Sequence, residues 1–371
     1  MKPLKVFAFP ACLFSPCIIS QPFKLKIGCI IGIVHGGNYK MSKLTLGHSK
    51  SDWDDYILEN GGHPLQLWGW GDAKSVHGWS ADRFFMHDDD ENIIGASQVL
   101  YRKLPWPLRS LAYIPRGPVV DESNREELLR SLAEYVKTHH HSVALSIEPD
   151  EEVYSVPQGW KLSKNHILPS KTIILDLNKS ESELLNDMAK KTRQYIRKSS
   201  AEAMEIKRVR TMDDLNKCLD IYRLTAKRAK FDLHDDQYYY DVFSKMADFS
   251  QLFASYVDGE PVAFLWLAIS ADTALELYGG MNEKGQELRV NYALKWHAIR
   301  KCREWGLTRY DFGGLLEGGV TTFKMGWAVG ETDLAGTFEK PLSAKYGAWH
   351  RGLPLAKRTV RRIKKPFKRR K

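Results

Sequence analysis

NYALKWHAIRKCREWGLTRYDFGG, residues 291–314, decides the architecture. Asn291 to Trp305 reads as a helix, Gly306 ends it, and Thr308 to Phe312 reads as a strand. The same order stands earlier in the chain. Ser123 to Thr138 is a helix with apolar Leu128, Leu129, Leu132 and Val136 at helical spacing, and Val143 to Ile147 is a strand.

Working outward, each helix–strand pair is preceded by strands. In the first half, helices at 51–60 and 65–76 lead to strands at 83–86, 93–101 and 111–114. The second half opens with a strand at 172–177, and Ser180 with Glu183 forms a capping-box signature for a helix beginning at Leu184. A strand at 204–209 and helices at 213–229 and 236–249 follow. A hairpin across Asp258-Gly259 then joins strands at 252–256 and 262–269, with a further strand at 274–278. Two passes through one element order predict an α/β fold of mixed sheets, built as tandem GNAT acyltransferase-like domains with an interdomain cleft. The expected division is a leader at 1–41, a first domain at 42–167, a second at 168–342 and a basic tail at 343–371. Pro157 to Pro169 marks the boundary.

The net charge of +10 belongs to that tail. Residues 343–371 hold twelve Lys or Arg and no acidic residue, which leaves 43 basic against 45 acidic residues elsewhere. Such a segment suits a polyanion, either nucleic acid or the anionic face of a membrane. The five cysteines, Cys12, Cys17, Cys29, Cys218 and Cys302, form no CxxC and no Cys/His group at metal-ligand spacing. No metal or cofactor is expected, and His139-His140-His141 is read as solvated surface. The apolar patches before Met41 are too short to span a bilayer, which needs roughly 20 residues. The leader reads as an overextended start rather than an anchor.

Five strings in order, Leu67-Trp68-Gly69-Trp70-Gly71-Asp72-Ala73-Lys74, Tyr113-Ile114-Pro115-Arg116-Gly117-Pro118-Val119, Lys191-Thr192-Arg193-Gln194-Tyr195-Ile196-Arg197, Tyr310-Asp311-Phe312-Gly313-Gly314 and Phe323-Lys324, resemble the FemXAB family. The resemblance covers roughly residues 50 to 340 and implies two GNAT-like domains, here in the compact form without an inserted helical hairpin. It implies transfer of an amino acid from aminoacyl-tRNA to the stem peptide of a peptidoglycan precursor, lipid II or UDP-MurNAc-pentapeptide, in the cytoplasm. Contact with the inner face of the membrane would run through the basic tail.

Aminoacyl transfer needs a deprotonated amine, a group that stabilises the oxyanion, and cations for two polyanionic substrates. By the resemblance, Lys74, Tyr238 and Tyr278 belong to the precursor side, and Phe323 and Lys324 to the aminoacyl-tRNA side. Glu148 stands where a family member carries an Asp proposed as proton acceptor; a plain surface carboxylate is the other reading. Lys190, Arg193 and Arg197 share a helical face by their spacing and would hold phosphates, or be merely solvated. The family's Arg-Pro pair before the tyrosine is His234-Asp235 here, and imidazole is a weaker phosphate ligand than guanidinium. Two alternatives remain. An acyl-CoA N-acyltransferase is disfavoured because no Gln/Arg-x-x-Gly-x-Gly/Ala turn opens the helix at Asn291. A noncatalytic RNA-binding protein would not need the Lys74, Tyr238 and Phe323-Lys324 set.

Overall fold

In the computed structural model, which describes residues 43–315 and 319–352, two large sheets and one two-stranded sheet share the chain. The first part runs β1 (Lys43–Leu46), α1 (Lys50–Glu59), α2 (Trp68–Ser75), β2 (Trp79–His87), β3 (Ile93–Lys103), β4 (Ser110–Pro115), β5 (Val119–Val120), α3 (Glu122–Tyr135), β6 (Ser142–Glu148) and β7 (Lys161–Ser163). Then come β8 (Lys171–Thr172), β9 (Ile174–Asp176), α4 (Glu181–Asp187), α5 (Lys190–Ser200), β10 (Glu205–Arg208), α6 (Met212–Ala229) and α7 (Asp236–Met246). The rest is β11 (Ser250–Val257), β12 (Glu260–Ile269), β13 (Thr273–Met281), α8 (Glu283–Glu287), α9 (Val290–Glu304), β14 (Arg309–Asp311), α10 (Gly319–Met325), β15 (Thr332–Asp333) and β16 (Thr337–Pro341).

The first sheet has the order β1-β2-β3-β4-β6-β16-β7, with β5 on β3, and the second β10-β11-β12-β13-β14-β9. Each contains one parallel pair closed by a crossover, β4 with β6 around α3 and β13 with β14 around α9. Parallel neighbours need such a crossover, so the repeated helix-then-strand reading is the second half of a βαβ unit in each sheet. The apolar stripe of Leu128, Leu129 and Leu132 on α3, continued by Val136 just after it, is fully buried, as its spacing predicts. Ser180 and Glu183 form the expected capping box on α4. The α-helices between α4 and β11 have 11 to 18 residues, so no long hairpin is inserted there.

Three expectations are corrected. β16 does not stay with the second part: it pairs antiparallel with both β6 and β7, so residues 337–341 complete the first sheet. Residues 343–352, expected in the tail, also belong there, because Tyr346 and Trp349 are buried against Leu111, Val143 and Ala144. The rest of the expected tail and the whole of the expected leader lie outside the described residues. His140 is not simply solvated. Its ring stacks on Tyr101 at 3.6 Å, and Nε2 lies 2.9 Å from Asp82 Oδ2. Among the described residues no helix is long and apolar enough to cross a membrane.

One core crosses between the parts. Leu65, Trp70, Ala73, Leu100 and Tyr113 pack in the same cluster as Tyr238, Tyr239, Val242 and Trp266. Helix α2 approaches α7 so closely that a Cβ on Gly69 would sit 2.3 Å from the Lys245 carbonyl oxygen.

Candidate active site

The N-cap of helix α2 is Leu67, whose apolar side chain cannot cap it, and Asp54 of α1 supplies the missing acceptor to the Trp68 amide at 2.8 Å. Its last turn carries Lys74 to the tyrosines of the second part. Lys74 Nζ donates to Tyr238 Oη at 2.7 Å, and Tyr278 Oη donates to the same oxygen at 3.1 Å. The ammonium also lies over the rings of Trp70 and Tyr238, at 4.5 and 4.8 Å. Three residues expected on one side of the reaction, from α2, α7 and β13, are thus brought together.

The loop before α7 explains the unusual His234-Asp235 pair in part. Asp235 is the N-cap of α7, accepting from the Tyr238 amide at 2.9 Å. His234 stacks on the Tyr238 ring at 4.0 Å, and burial followed by the Lys74 charge lowers its pKa below the usual imidazole value. Burial and the neighbouring tyrosines push the Tyr278 phenol well above its ordinary range. It remains a hydrogen-bond donor at neutral pH.

A second group forms around α10. Lys324 Nζ donates to the carbonyl oxygens of Phe312 and of Gly314, the latter at 2.8 Å. An ammonium has three N–H bonds, and the described residues take two. Phe323 packs edge-on against Tyr292 at 5.0 Å and Trp327 at 5.9 Å. Gly313 and Gly314 are both at positive φ, and a Cβ on Gly313 would lie 2.1 Å from the Glu276 carbonyl oxygen. Glycine is required there for both conformation and space.

Strand β13 connects the two groups through a bulge. Trp266 pairs with Tyr278 but Leu267 with Glu276, so Leu277 is the extra residue. Leu275, Leu277 and Tyr278 consequently share the core with α7, while Glu276 meets Lys295 of α9. Without the bulge, Glu276 and Tyr278 would point the same way.

Glu148 is neither a surface carboxylate nor a free base. It is 1% exposed. Its Oε1 accepts from the Ile167 amide (2.7 Å) and Thr337 Oγ1 (2.8 Å), and its Oε2 from Tyr113 Oη (2.5 Å) and the Leu168 amide (2.9 Å). Four donors occupy the carboxylate, leaving no lone pair directed at a substrate. Arg193 is likewise committed, with Nη1 donating to the carbonyls of Leu185, Asn186 and Met188 at the end of α4. Arg197 and Lys190 are exposed on α5.

His63, Asp150 and Asp311 present possible ligand atoms within 4.8 Å of one another. Arg309 already pairs with Asp150 and lies 3.9 Å from Asp311 Oδ2, while His63 Nδ1 accepts from the Leu65 amide at 3.1 Å. Burial, with Arg116 and Arg309 nearby, pushes the His63 imidazole well below its usual value and keeps it neutral. The group is an ion-paired seam between the two parts.

Sequence reasoning missed the buried pair Lys295 and Glu276, joined at 2.5 Å. Its signal was present. Lys295 precedes Ile299 and Cys302 by four and seven residues, on the buried stripe of α9, and Glu276 sits between two leucines in a strand.

Comparison with known proteins agrees with this architecture. Residues 49–159 match the FemAB family, and residues 186–325 match the acetyltransferase (GNAT) domain. A lipid II:glycine glycyltransferase of Staphylococcus aureus (strain MRSA252) is 28% identical over 274 residues, covering 69% of this chain and 61% of the relative. The chain therefore spans about 61% of that relative's length. A lipid II:glycine glycyltransferase of Staphylococcus saprophyticus is 23% identical, covering 76% of this chain and 89% of the relative. Among solved structures, that of FemX superposes with a TM-score of 0.71 at 20% identity, over 80% of this chain and 97% of that one. The first part of the chain thus matches the FemAB family and its second part the acetyltransferase (GNAT) domain, on a fold similar to that of FemX.

Proposed function

We propose that this protein transfers an amino acid from aminoacyl-tRNA to the stem peptide of a peptidoglycan precursor. The observation that carries the reading is the Lys74–Tyr238–Tyr278 chain, a cation bonded to one phenol that a second phenol backs, where α2 meets α7 and β13. Such a group suits the phosphates of a sugar-nucleotide or lipid-linked precursor. The lipid II acceptor of the staphylococcal relatives supports the precursor class. A lipid-linked acceptor would bring the protein to the inner face of the membrane. The division at residues 167 and 168 is part of this reading, with Lys74 contributed by the first unit and Lys324 by the second.

On the other side, Lys324 stabilises the oxyanion. The stem-peptide amine attacks the ester carbonyl carbon, a C–N bond forms, and negative charge collects on the carbonyl oxygen. The unused N–H of Lys324 meets that charge. As the tetrahedral species collapses, the C–O bond to the terminal ribose breaks, and the departing hydroxyl takes the proton that the amine releases. Substrate-borne proton transfer suits this site, because the Glu148 carboxylate is fully occupied. Arg197, Lys190 and Lys191, exposed on α5, offer charge to the RNA backbone.

The test is transfer of label from a mixture of charged tRNAs to lipid II or UDP-MurNAc-pentapeptide. Label in one acceptor is expected, with no competition from acetyl-CoA; RNA binding without transfer would overturn the reading. Lys324→Met should lower turnover by about 10²–10³-fold, the usual loss for one oxyanion hydrogen-bond donor, with little change in acceptor binding.

A further inference from the structure

The second part buries a charge pair that the transfer reaction does not touch. Lys295 is 4% exposed, and its Nζ contacts Glu276 Oε1, which also accepts from Tyr310 Oη at 2.8 Å. Removing two charges from water costs more than such a pair usually returns, and an apolar pair of the same shape is often as stable or more so. Stability alone therefore gives a poor account of it.

Its surroundings give a better one. Lys295 Nζ lies over three rings, those of Phe312 (4.0 Å), Phe323 (5.2 Å) and Trp327 (5.7 Å). Each belongs to a residue bonded to Lys324. The Phe312 carbonyl accepts from Lys324 Nζ, Phe323 is its neighbour in the chain, and the Trp327 amide donates to the Lys324 carbonyl at 3.0 Å. The backbone of Glu276 in turn backs Gly313, between the two carbonyls that hold the Lys324 ammonium.

We propose that Lys295 is a positioning residue for Lys324: its buried ammonium, anchored on Glu276, holds the rings of Phe312, Phe323 and Trp327 as one unit and so fixes where Lys324 meets the acyl donor. The inference rests on Lys324 acting at the ester. Burial and then the like charge of Lys324 push the Lys295 amine down to about 8, against the pull of Glu276, so the two ammonium groups sense each other. Facing Lys295 are Glu276 from β13, Tyr310 from β14 and Lys324 from α10.

The decisive variant is Lys295→Met with Glu276→Leu, which removes both charges and keeps an apolar contact. It should fold with a melting temperature near that of the parent, yet turn over on the order of 100-fold more slowly at saturating substrates, as expected for a displaced catalytic group. Added to Lys324→Met, it should cost little more, because the two act as a unit. Full turnover in the folded apolar variant, or losses that simply multiply, would overturn the proposal. A second readout needs no transfer reaction: acylation of the Lys324 amine by acetic anhydride, followed by mass spectrometry, should be about tenfold faster in the variant, the equivalent of one lost hydrogen bond. If the parent protein transfers nothing, the proposed function fails while the labelling rate still decides the positioning role, an unchanged rate refuting it. Should the apolar variant not fold, Glu276→Gln, which keeps the shape but weakens the anchor, replaces it in both assays.

Discussion

Glu148 shows how a residue can sit at the expected place in the chain and do different work. Glu148→Gln puts an amide nitrogen where two donors now point, at about 1–3 kcal/mol for each stranded donor. Chemical denaturation should show that loss, while the folded fraction keeps most of its turnover. A drop of the 10²–10⁴-fold size typical of a missing general base would restore the catalytic reading. Tyr238→Phe, by contrast, removes the oxygen that receives both Lys74 and Tyr278. It should raise the acceptor KM by roughly 10- to 100-fold at unchanged kcat, since a hydrogen bond to a charged group contributes about 1.5–3 kcal/mol. Lys74, Tyr238 and Tyr278, singled out by their resemblance to family motifs, lie together in the structure. The commitments of Glu148 and Arg193 were not legible, because Glu148 is held by two side chains and two amides from segments 19 to 189 residues away, and Arg193 by backbone carbonyls that no side-chain pattern marks. Lys295 and Glu276 broke the apolar periodicity of α9 and β13, and a charge on a buried stripe could have been noticed.

At the scale of elements, periodicity found α3 and α9, which each present one apolar face to a sheet. It missed β5, β7, β8, β15 and β16, each of two to five residues, too short to show alternation before their partners are known. The placement of β16 is a further case: nothing local in Thr337–Pro341 says that it joins β6 rather than the sheet just completed. The α2–α7 contact depends on Gly69. In an exposed helix, Gly→Ala would gain up to about 1 kcal/mol of helix propensity. Here the new Cβ meets a backbone oxygen at 2.3 Å, and overpacking of about 1–3 kcal/mol outweighs the gain. Gly69→Ala should therefore lower the melting temperature, and by moving α2 away from α7 it should weaken acceptor binding as well. Calorimetry and steady-state kinetics on one sample would separate the two effects.

For the whole molecule, the return of the chain matters most. Ending the protein at Ala335 deletes a strand from inside the first sheet, removes Thr337 from Glu148 and uncovers the surface beneath Tyr346 and Trp349. Such a truncation should give no soluble folded protein, as size-exclusion chromatography and circular dichroism would show; a stable, monomeric product would contradict the interlocked order described above. Outgoing and returning segments also run side by side. β8 pairs with β15, the Leu334 amide donates to the Ser170 carbonyl at 2.9 Å, and the Ala335 amide to the Glu151 carbonyl at 2.8 Å. Mechanically this is a leaf spring rather than a tether: two strands laced edge to edge resist stretching and in-plane shear, and flex only across their flat face. Any opening between the halves therefore has to flex this laced strap.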